Sequence, residues 1–331
     1  MWEANCDGAR SALDEQGVWF CDDAVSEESA AALRSEILAA YQNNLLTLSG
    51  NVLAVRSSDG SRVGNMQEKP HIFEADVVVD GVTARSDVIA SCPMLGALLG
   101  SEGELRHKLN AQLPELALER LEQGKVQVNE GSCGAFPFHF DVSSQKSSRR
   151  NLTALLYLNP EWQSGDGGEV ELLPFPFADV VVPPADRRLV VFSANTTMHR
   201  VRPFSGAAGR VCVNLWFDGN AAVPFPKPLP PEDYESRATN VVRVLRRQPQ
   251  ELRAFCKVWY RDAIAASLRD AFRPGPALEA AVALHLEEAK EVESRISSAT
   301  LDLLRECLPL ESKVVTVEPE SVDLGGLFDD L

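Results

Sequence analysis

None of the seven cysteines in this 331-residue chain is paired as CxxC, and their number is odd. Cys6, Cys21, Cys92, Cys133, Cys212, Cys256 and Cys307 are scattered, which argues against a disulfide framework or a cysteine zinc site and fits free thiols. Basic residues are in deficit: 32 Lys+Arg against 48 Asp+Glu leave a net charge of -16. Such a field opposes phosphate backbones, so no nucleic-acid partner is expected. No apolar run approaches the about 18 residues of a membrane span, and no membrane partner is expected. The opening MWEANCDGARSALDEQ lacks the apolar stretch of a secretory signal, and the final FDDL is not an ER-retention signal. By elimination, a cytoplasmic or nuclear location is expected. Histidine is scarce enough, at five residues, to be weighed one at a time.

What is present is an ordinary globular composition, 45% hydrophobic and 24% charged. At roughly 100–200 residues per domain, the length allows two domains or one with extensions. From Ser26, SEESAAALRSEILAAYQNNLL reads as a helix capped by Ser26, with Leu33, Ile37, Tyr41 and Leu45 at spacing i+4. Residues 56–69, RSSDGSRVGNMQEK, read as a polar surface loop, a candidate cover with Gly60 and Gly64 as hinges. IFEADVVVDGVTA reads as two strands about the Asp80-Gly81 turn. Ser101 with Glu104 forms a capping-box pattern ahead of Leu105, Leu109 and Leu113.

Between 125 and 218 the character changes. KVQVN, FPFHFD, NLTALLYLN, GEVELLPF, ADVVVPP, RRLVVFS, HRVRPF and RVCVNLWFD recur between turn signals. Short strands at this spacing predict a double-sheeted jelly roll within an α+β chain. The expected organisation is a supporting N-terminal region of helices and strands at 1–122, a jelly-roll core at 123–220, a helical region at 230–310 and an acidic, disordered tail at 311–331. A proline-rich stretch, VPFPKPLPPE, precedes the helices, and residues 273–276 interrupt them.

Two histidines fall inside the β region. His139-Phe140-Asp141 is an H-x-D on a strand, and alternation puts both polar side chains on one face. His199 opens a strand sixty residues later. Two imidazoles and one carboxylate that leave coordination positions open are the facial triad of non-haem iron(II) oxygenases. Eleven residues further on, Arg210 begins RVCVNLWF. Its planar fork suits a bidentate pair with a carboxylate. Arg210, Asn214 and Trp216 share a strand face by parity, taken as the inner one. Tyr157, on LTALLYLN, is placed to donate a hydrogen bond to the same carboxylate.

NLTALLYLNPEW, GDGGEVELLPF, HRVRP and RVCVNLWFDG together resemble the catalytic core of prolyl 4-hydroxylases, with the hypoxia-inducible-factor prolyl hydroxylases as kin. The likeness spans about residues 120–218. It implies an iron(II)- and 2-oxoglutarate-dependent dioxygenase, an oxidoreductase that uses O2, releases succinate and CO2, and admits ascorbate as an accessory reductant. By position His139, Asp141 and His199 match the metal ligands, and Arg210 the 2-oxoglutarate anchor. Tyr157 and Trp216 fall on positions around the co-substrate. The chain departs from the family at Asn129 and Phe136, where tyrosine is common, and at Asn214, where a hydroxyl residue is.

The expected substrate is a peptidyl residue, foremost proline, in a protein or peptide. A small-molecule or free amino-acid hydroxylase is the alternative, and a non-catalytic metal- or ligand-binding jelly roll a third. The plainer readings elsewhere are structural. His71 is read as a surface or packing residue, His107 as solvent-exposed, His285 as a satisfied core histidine and Cys212 as a small buried filler. Lys146, Arg149 and Arg150 are read as a solvated loop.

Overall fold

The computed structural model describes residues 1–142, 149–175, 177–220, 245, 249–307 and 315–316. Helices α1 (Ala9–Gln16), α2 (Glu27–Gln42), α3 (Ser86–Ser91), α4 (Pro93–Gly100) and α5 (Glu102–Gln112) lie in the N-terminal third. Strands β1 (Val18–Cys21), β2 (Thr47–Arg56), β3 (Arg62–Val79) and β4 (Val82–Thr83) run among them. The segments singled out by alternation become β5 (Arg120–Asn129), β6 (Gly134–His139), β7 (Arg150–Tyr157), β8 (Val170–Leu173), β9 (Val180–Val182), β10 (Leu189–Ser193), β11 (Met198–Phe204) and β12 (Arg210–Asp218). Helices α6 (Pro249–Trp259), α7 (Arg261–Ala271), α8 (Pro276–Arg295) and α9 (Ser298–Cys307) follow among the described residues, and then a two-residue strand, β13 (Val315–Thr316).

The strands form two sheets ordered β1-β10-β7-β12-β5-β3-β2, with β4 beside β3, and β13-β9-β8-β11-β6. Every pairing is antiparallel except β13 on β9. This is the jelly roll that the spacing predicted. Each strand of the larger sheet divides its side chains by parity. Val211, Val213, Leu215 and Phe217 of β12 face outward into a core with Leu33 and Ile37 of α2 and Leu95, Leu98, Leu105 and Leu109 of α4 and α5. Cys212 faces the other way, against Tyr157, Val170, Val190 and Phe192 between the sheets. The C-terminal helices cover the smaller sheet through Phe138, Met198, Phe255 and Cys256. They also support β2 through Leu53, Val55, Phe272 and Leu278.

Helix α2 is capped as read, the Ser29 backbone N–H donating to Ser26 Oγ at 3.2 Å. The capping box at Ser101 does not form: its hydroxyl donates to Leu98 O at 2.9 Å instead, and its backbone sits at φ -96°, ψ 12°, outside the extended cap geometry. The reading of 56–69 as a loop is also corrected. Only the tip, residues 57–61, turns; residues 62–69 extend β3 in register with β2, from Arg56↔Arg62 to Gly50↔Glu68. The pattern hid this strand because residues 62–68 bury neither face and their apolar members, Val63 and Met66, are exposed and fall on opposite faces, so no alternation marked it. The Asp80-Gly81 turn forms, both residues at positive φ. Lys146, the proline-rich stretch at 223–232 and the acidic tail, apart from β13, lie outside the described residues.

Candidate active site

His139 and His199 are direct cross-strand partners, on β6 and β11 of the smaller sheet. The H-x-D does not lie wholly on a strand: β6 ends at His139, and Asp141 sits in the turn that follows, which brings its carboxylate back beside the two rings. His139 Nε2 lies 3.6 Å from Asp141 Oδ1, and His199 Nε2 lies 3.7 Å from Asp141 Oδ2. One ligand atom from each of the three lies within 4.8 Å of the others, close enough to share one ion. The backbone carbonyls of Pro137 and Thr197 accept from the Nδ1 atoms of His139 (2.9 Å) and His199 (3.2 Å). That partner assigns the proton to Nδ1 and leaves each Nε2 lone pair free for a metal.

Protonation suits the same role. Burial drives the His199 pKa down to about 4, so the ring is neutral at pH 7. Burial alone would raise the Asp141 carboxyl, but the His199 and His139 rings and a 2.6 Å hydrogen bond from Thr153 Oγ1 hold it well below the usual carboxylate range. Two imidazole nitrogens and one carboxylate on one face match the hard-to-intermediate donor set of an iron(II) site with open positions. Phe192 packs against the His199 ring at 4.6 Å and closes its rear.

The triad opens into a cavity of about 260 Å³. Arg210 lines it too, 1% exposed. The Arg210 guanidinium donates from Nε to Gly168 O at 2.8 Å, approaches Gln127 Oε1 at 3.5 Å and covers the Tyr157 ring at 4.9 Å. All three partners are neutral, so among the described residues this buried cation has no counter-ion. The Tyr157 hydroxyl is buried without a hydrogen-bond partner, and burial raises its pKa. A desolvated guanidinium beside an orphaned hydroxyl is complementary to a carboxylate. The co-substrate's far carboxylate fits here, as the metal fits the triad. Leu155, Val170 and Val201 line the same cavity as apolar wall.

The other sequence-derived positions divide. Asn214 and Trp216 line the cavity with Arg210, as parity requires. Asn214 Oδ1 accepts from Cys212 Sγ at 2.9 Å, and the Trp216 ring lies under the Arg150 guanidinium at 4.9 Å. Cys212 is a buried filler, 1% exposed. Asn129 serves the turn into β6: its Nδ2 donates to Gly134 O (2.8 Å) and its Oδ1 accepts from Gly131 N (3.2 Å). His107 is exposed, and His285 Nε2 meets Arg261 O at 2.9 Å as a satisfied buried histidine.

Arg150 corrects its reading as a solvated loop residue. Its guanidinium pairs with Glu122, donates to Gln123 Oε1 at 2.6 Å and reaches Asp141 O at 3.2 Å, so it braces the metal-bearing turn. Arg149 beside it is surface, paired with Glu119. Parity along β7 would place Arg150 with Leu152, Ala154 and Leu156 on the outer face; its turn into the cavity goes with a register shift between Phe217 and Asp218, so the sequence carried no usable signal. Thr153, Gln127, Lys125, Glu74 and Lys69 were not singled out. Thr153 and Gln127 share strand parity with Tyr157 and Arg210's neighbours, whereas nothing in the sequence marks Lys69.

Residues 126–218 match the family described as the 2OG-Fe(II) oxygenase superfamily. A prolyl 4-hydroxylase from Phytophthora capsici is 26% identical, with a TM-score of 0.67 over 94% of this chain and 99% of that one. A prolyl-4-hydroxylase from Pseudomonas putida, 18% identical, shares the fold with a TM-score of 0.50, over 66% of this chain and 100% of that one. No curated protein sequence matches significantly. With the triad and the unpaired arginine on the inner face of β5–β12, the chain is thus similar to the 2OG-Fe(II) oxygenase superfamily over residues 126–218, and is a 2-oxoglutarate-dependent dioxygenase that resembles the prolyl 4-hydroxylases.

Proposed function

We propose that this chain hydroxylates a peptidyl residue, foremost proline, in a protein or peptide, converting 2-oxoglutarate to succinate and CO2. The observation that carries the reading is the counter-ion-free Arg210, which lines the same cavity as the triad and covers the ring of the buried Tyr157. His139, Asp141 and His199 would hold iron(II). Arg210 and Tyr157 would grip the far carboxylate of 2-oxoglutarate, with Leu155, Val170 and Val201 against its methylenes. Bound iron supplies the dioxygen activation, and ascorbate would serve to keep it reduced. The protein's own part is positional. Thr153 and Arg150 fix the Asp141 turn, the Pro137 and Thr197 carbonyls fix both imidazole tautomers, and Phe192 keeps water from the back of His199.

The preference for proline is supported by the likeness to a prolyl 4-hydroxylase over nearly the whole chain. The test is succinate formation from 2-oxoglutarate with iron(II), screened against proline-containing peptides and free amino acids, with product mass to locate the added oxygen. Peptide-stimulated turnover with a +16 Da proline is the expected result. Stimulation by free amino acids alone would move the substrate to the small-molecule class, and silence with every addition would reject the enzymatic reading.

A further inference from the structure

Lys69 is 2% exposed, yet no acidic group among the described residues pairs with it. Its ammonium lies 3.9 Å above the centre of the Phe136 ring and 3.4 Å from Asn51 Oδ1, and makes no other polar contact there. The nearest candidate counter-ion, Glu74, is taken: Lys125 Nζ holds Glu74 Oε1 at 3.0 Å and reaches Asp76 as well. An ammonium buried without an ion pair is expensive: desolvation lowers its pKa to about 8, and the nearby charge of Glu74 offsets this only in part. It faces the cavity of the triad, and Phe136, on which it sits, has its ring 6.4 Å from that of His139.

The backbone is bent to put it there. Pairing of β2 with β3 passes from Leu48↔Phe73 directly to Gly50↔Glu68, so residues 69–72 stand opposite the single Ser49. Bulges of this kind re-aim side chains beside active sites. Within this one, His71 adopts φ 67°, a strained value for a residue with a side chain. Glu130 holds it there, its N–H donating to His71 O at 3.0 Å and its carboxylate meeting His71 Nδ1 at 2.9 Å. A fold that retains a strained bulge to aim an unpaired cation inward does so against its own stability, the pattern expected of a binding group.

We infer that Lys69 recognises a carboxylate on the substrate, and that the substrate is therefore an acidic one. The inference rests on the oxygenase reading of the cavity. Arg210 and Tyr157 take the carboxylate of the co-substrate at one wall, while Lys69, with the Phe136 face below it, takes a second carboxylate delivered on the substrate. That carboxylate is either an acidic side chain near the hydroxylated residue of a peptide, or the free carboxylate of a small acid.

The test uses full-length protein loaded with manganese(II) and 2-oxoglutarate, so that binding is read without turnover. The probes are peptides in which one glutamate is stepped around a central proline, each with its glutamine twin, and N-acetylproline with its amide. The parent should bind at least one carboxylate member about tenfold or more tighter than its neutral twin. Lys69→Met should bring that ratio near one, and Lys69→Arg should retain part of it. A glutamate-dependent ratio assigns a peptide, and an N-acetylproline-dependent ratio a small acid. Lys69→Met should also raise the thermal midpoint, which shows that it is folded and that the ammonium was an uncompensated burden. No discrimination by the parent, or an unchanged ratio in Lys69→Met, overturns the inference while leaving the cavity's assignment intact. If the parent fails to bind manganese and 2-oxoglutarate at all, the oxygenase reading fails, and this inference with it.

Discussion

Asp141 is the one anion among the three groups that converge on the metal position, and it is held ionised and oriented by Thr153 Oγ1 at 2.6 Å. Asp141→Ala should therefore remove manganese(II) binding, measured by calorimetry, with the fold intact by circular dichroism; parental affinity would show that the ligands lie elsewhere. Thr153→Val keeps the shape and deletes only the orienting hydroxyl. Losses of about 10–100-fold in metal affinity are usual for such supporting contacts, and that range is expected here. His107 and His285, remote from the triad, serve as controls. Arg210→Ala should raise the 2-oxoglutarate requirement steeply. Truncating one partner of a buried charge pair costs about 2–5 kcal/mol, roughly 30-fold to several-thousand-fold in affinity. Arg210→Lys should recover part, since it restores the charge but loses the Nε bond to Gly168 O. An unchanged requirement in the alanine variant would reject Arg210 as anchor. At this scale the triad and Arg210 were legible because H-x-D spacing and strand position carry their meaning locally.

Strand elements were legible wherever one face was buried. β5 to β12 alternate or run fully apolar, and each was marked by its own residues. The extension of β3 through 62–69 escaped because its polar sequence lacks that signature and its register comes from β2. The GDGG segment ahead of β8 was visible as a motif, but its reason is tertiary. At Gly167, φ 78°, an added Cβ would lie 1.9 Å from Pro203 O, and at Gly168 it would lie 2.8 Å from Arg210 Cδ. Gly167→Ala should destabilise by more than about 1 kcal/mol, because it adds strain at positive φ to a backbone clash. Urea unfolding checks this, and a midpoint equal to the parent's would show that the turn can relax.

At the scale of the whole molecule, the helices beyond residue 249 brace the site from outside. Ser267 Oγ of α7 accepts from the Phe138 backbone N–H of β6 at 3.0 Å, and Phe272 fills the core beneath β2. Phe272→Ala should cost about 3–5 kcal/mol in unfolding free energy, as buried phenylalanine truncations do, and a loss under 1 kcal/mol would show that α7 and α8 are dispensable to the fold. Global stability should also carry a signature of Lys69. Burial, its largest influence, lowers its pKa to about 8, with Glu74 opposing and Lys125 adding to the shift, while the unfolded lysine keeps its proton to about 10.5. Between those values the unfolded state binds more protons, so stability should rise with pH from about 8 to 10.5, while below 8 the full penalty of the buried charge persists. The parent's unfolding free energy should climb relative to that of Lys69→Met across this window, and parallel curves would refute it. The amino-acid sequence by itself determined the jelly roll, and it singled out the proposed metal triad and the proposed arginine anchor, because strand parity and short motifs are local and repeat along the chain. Only the tertiary structure decided that Arg210 has no counter-ion, that Arg150 braces the Asp141 turn and that Lys69 faces the cavity. Those facts depend on which groups from distant strands meet, and on a bulge held by Glu130, 59 residues from His71, and no local pattern encodes such a meeting.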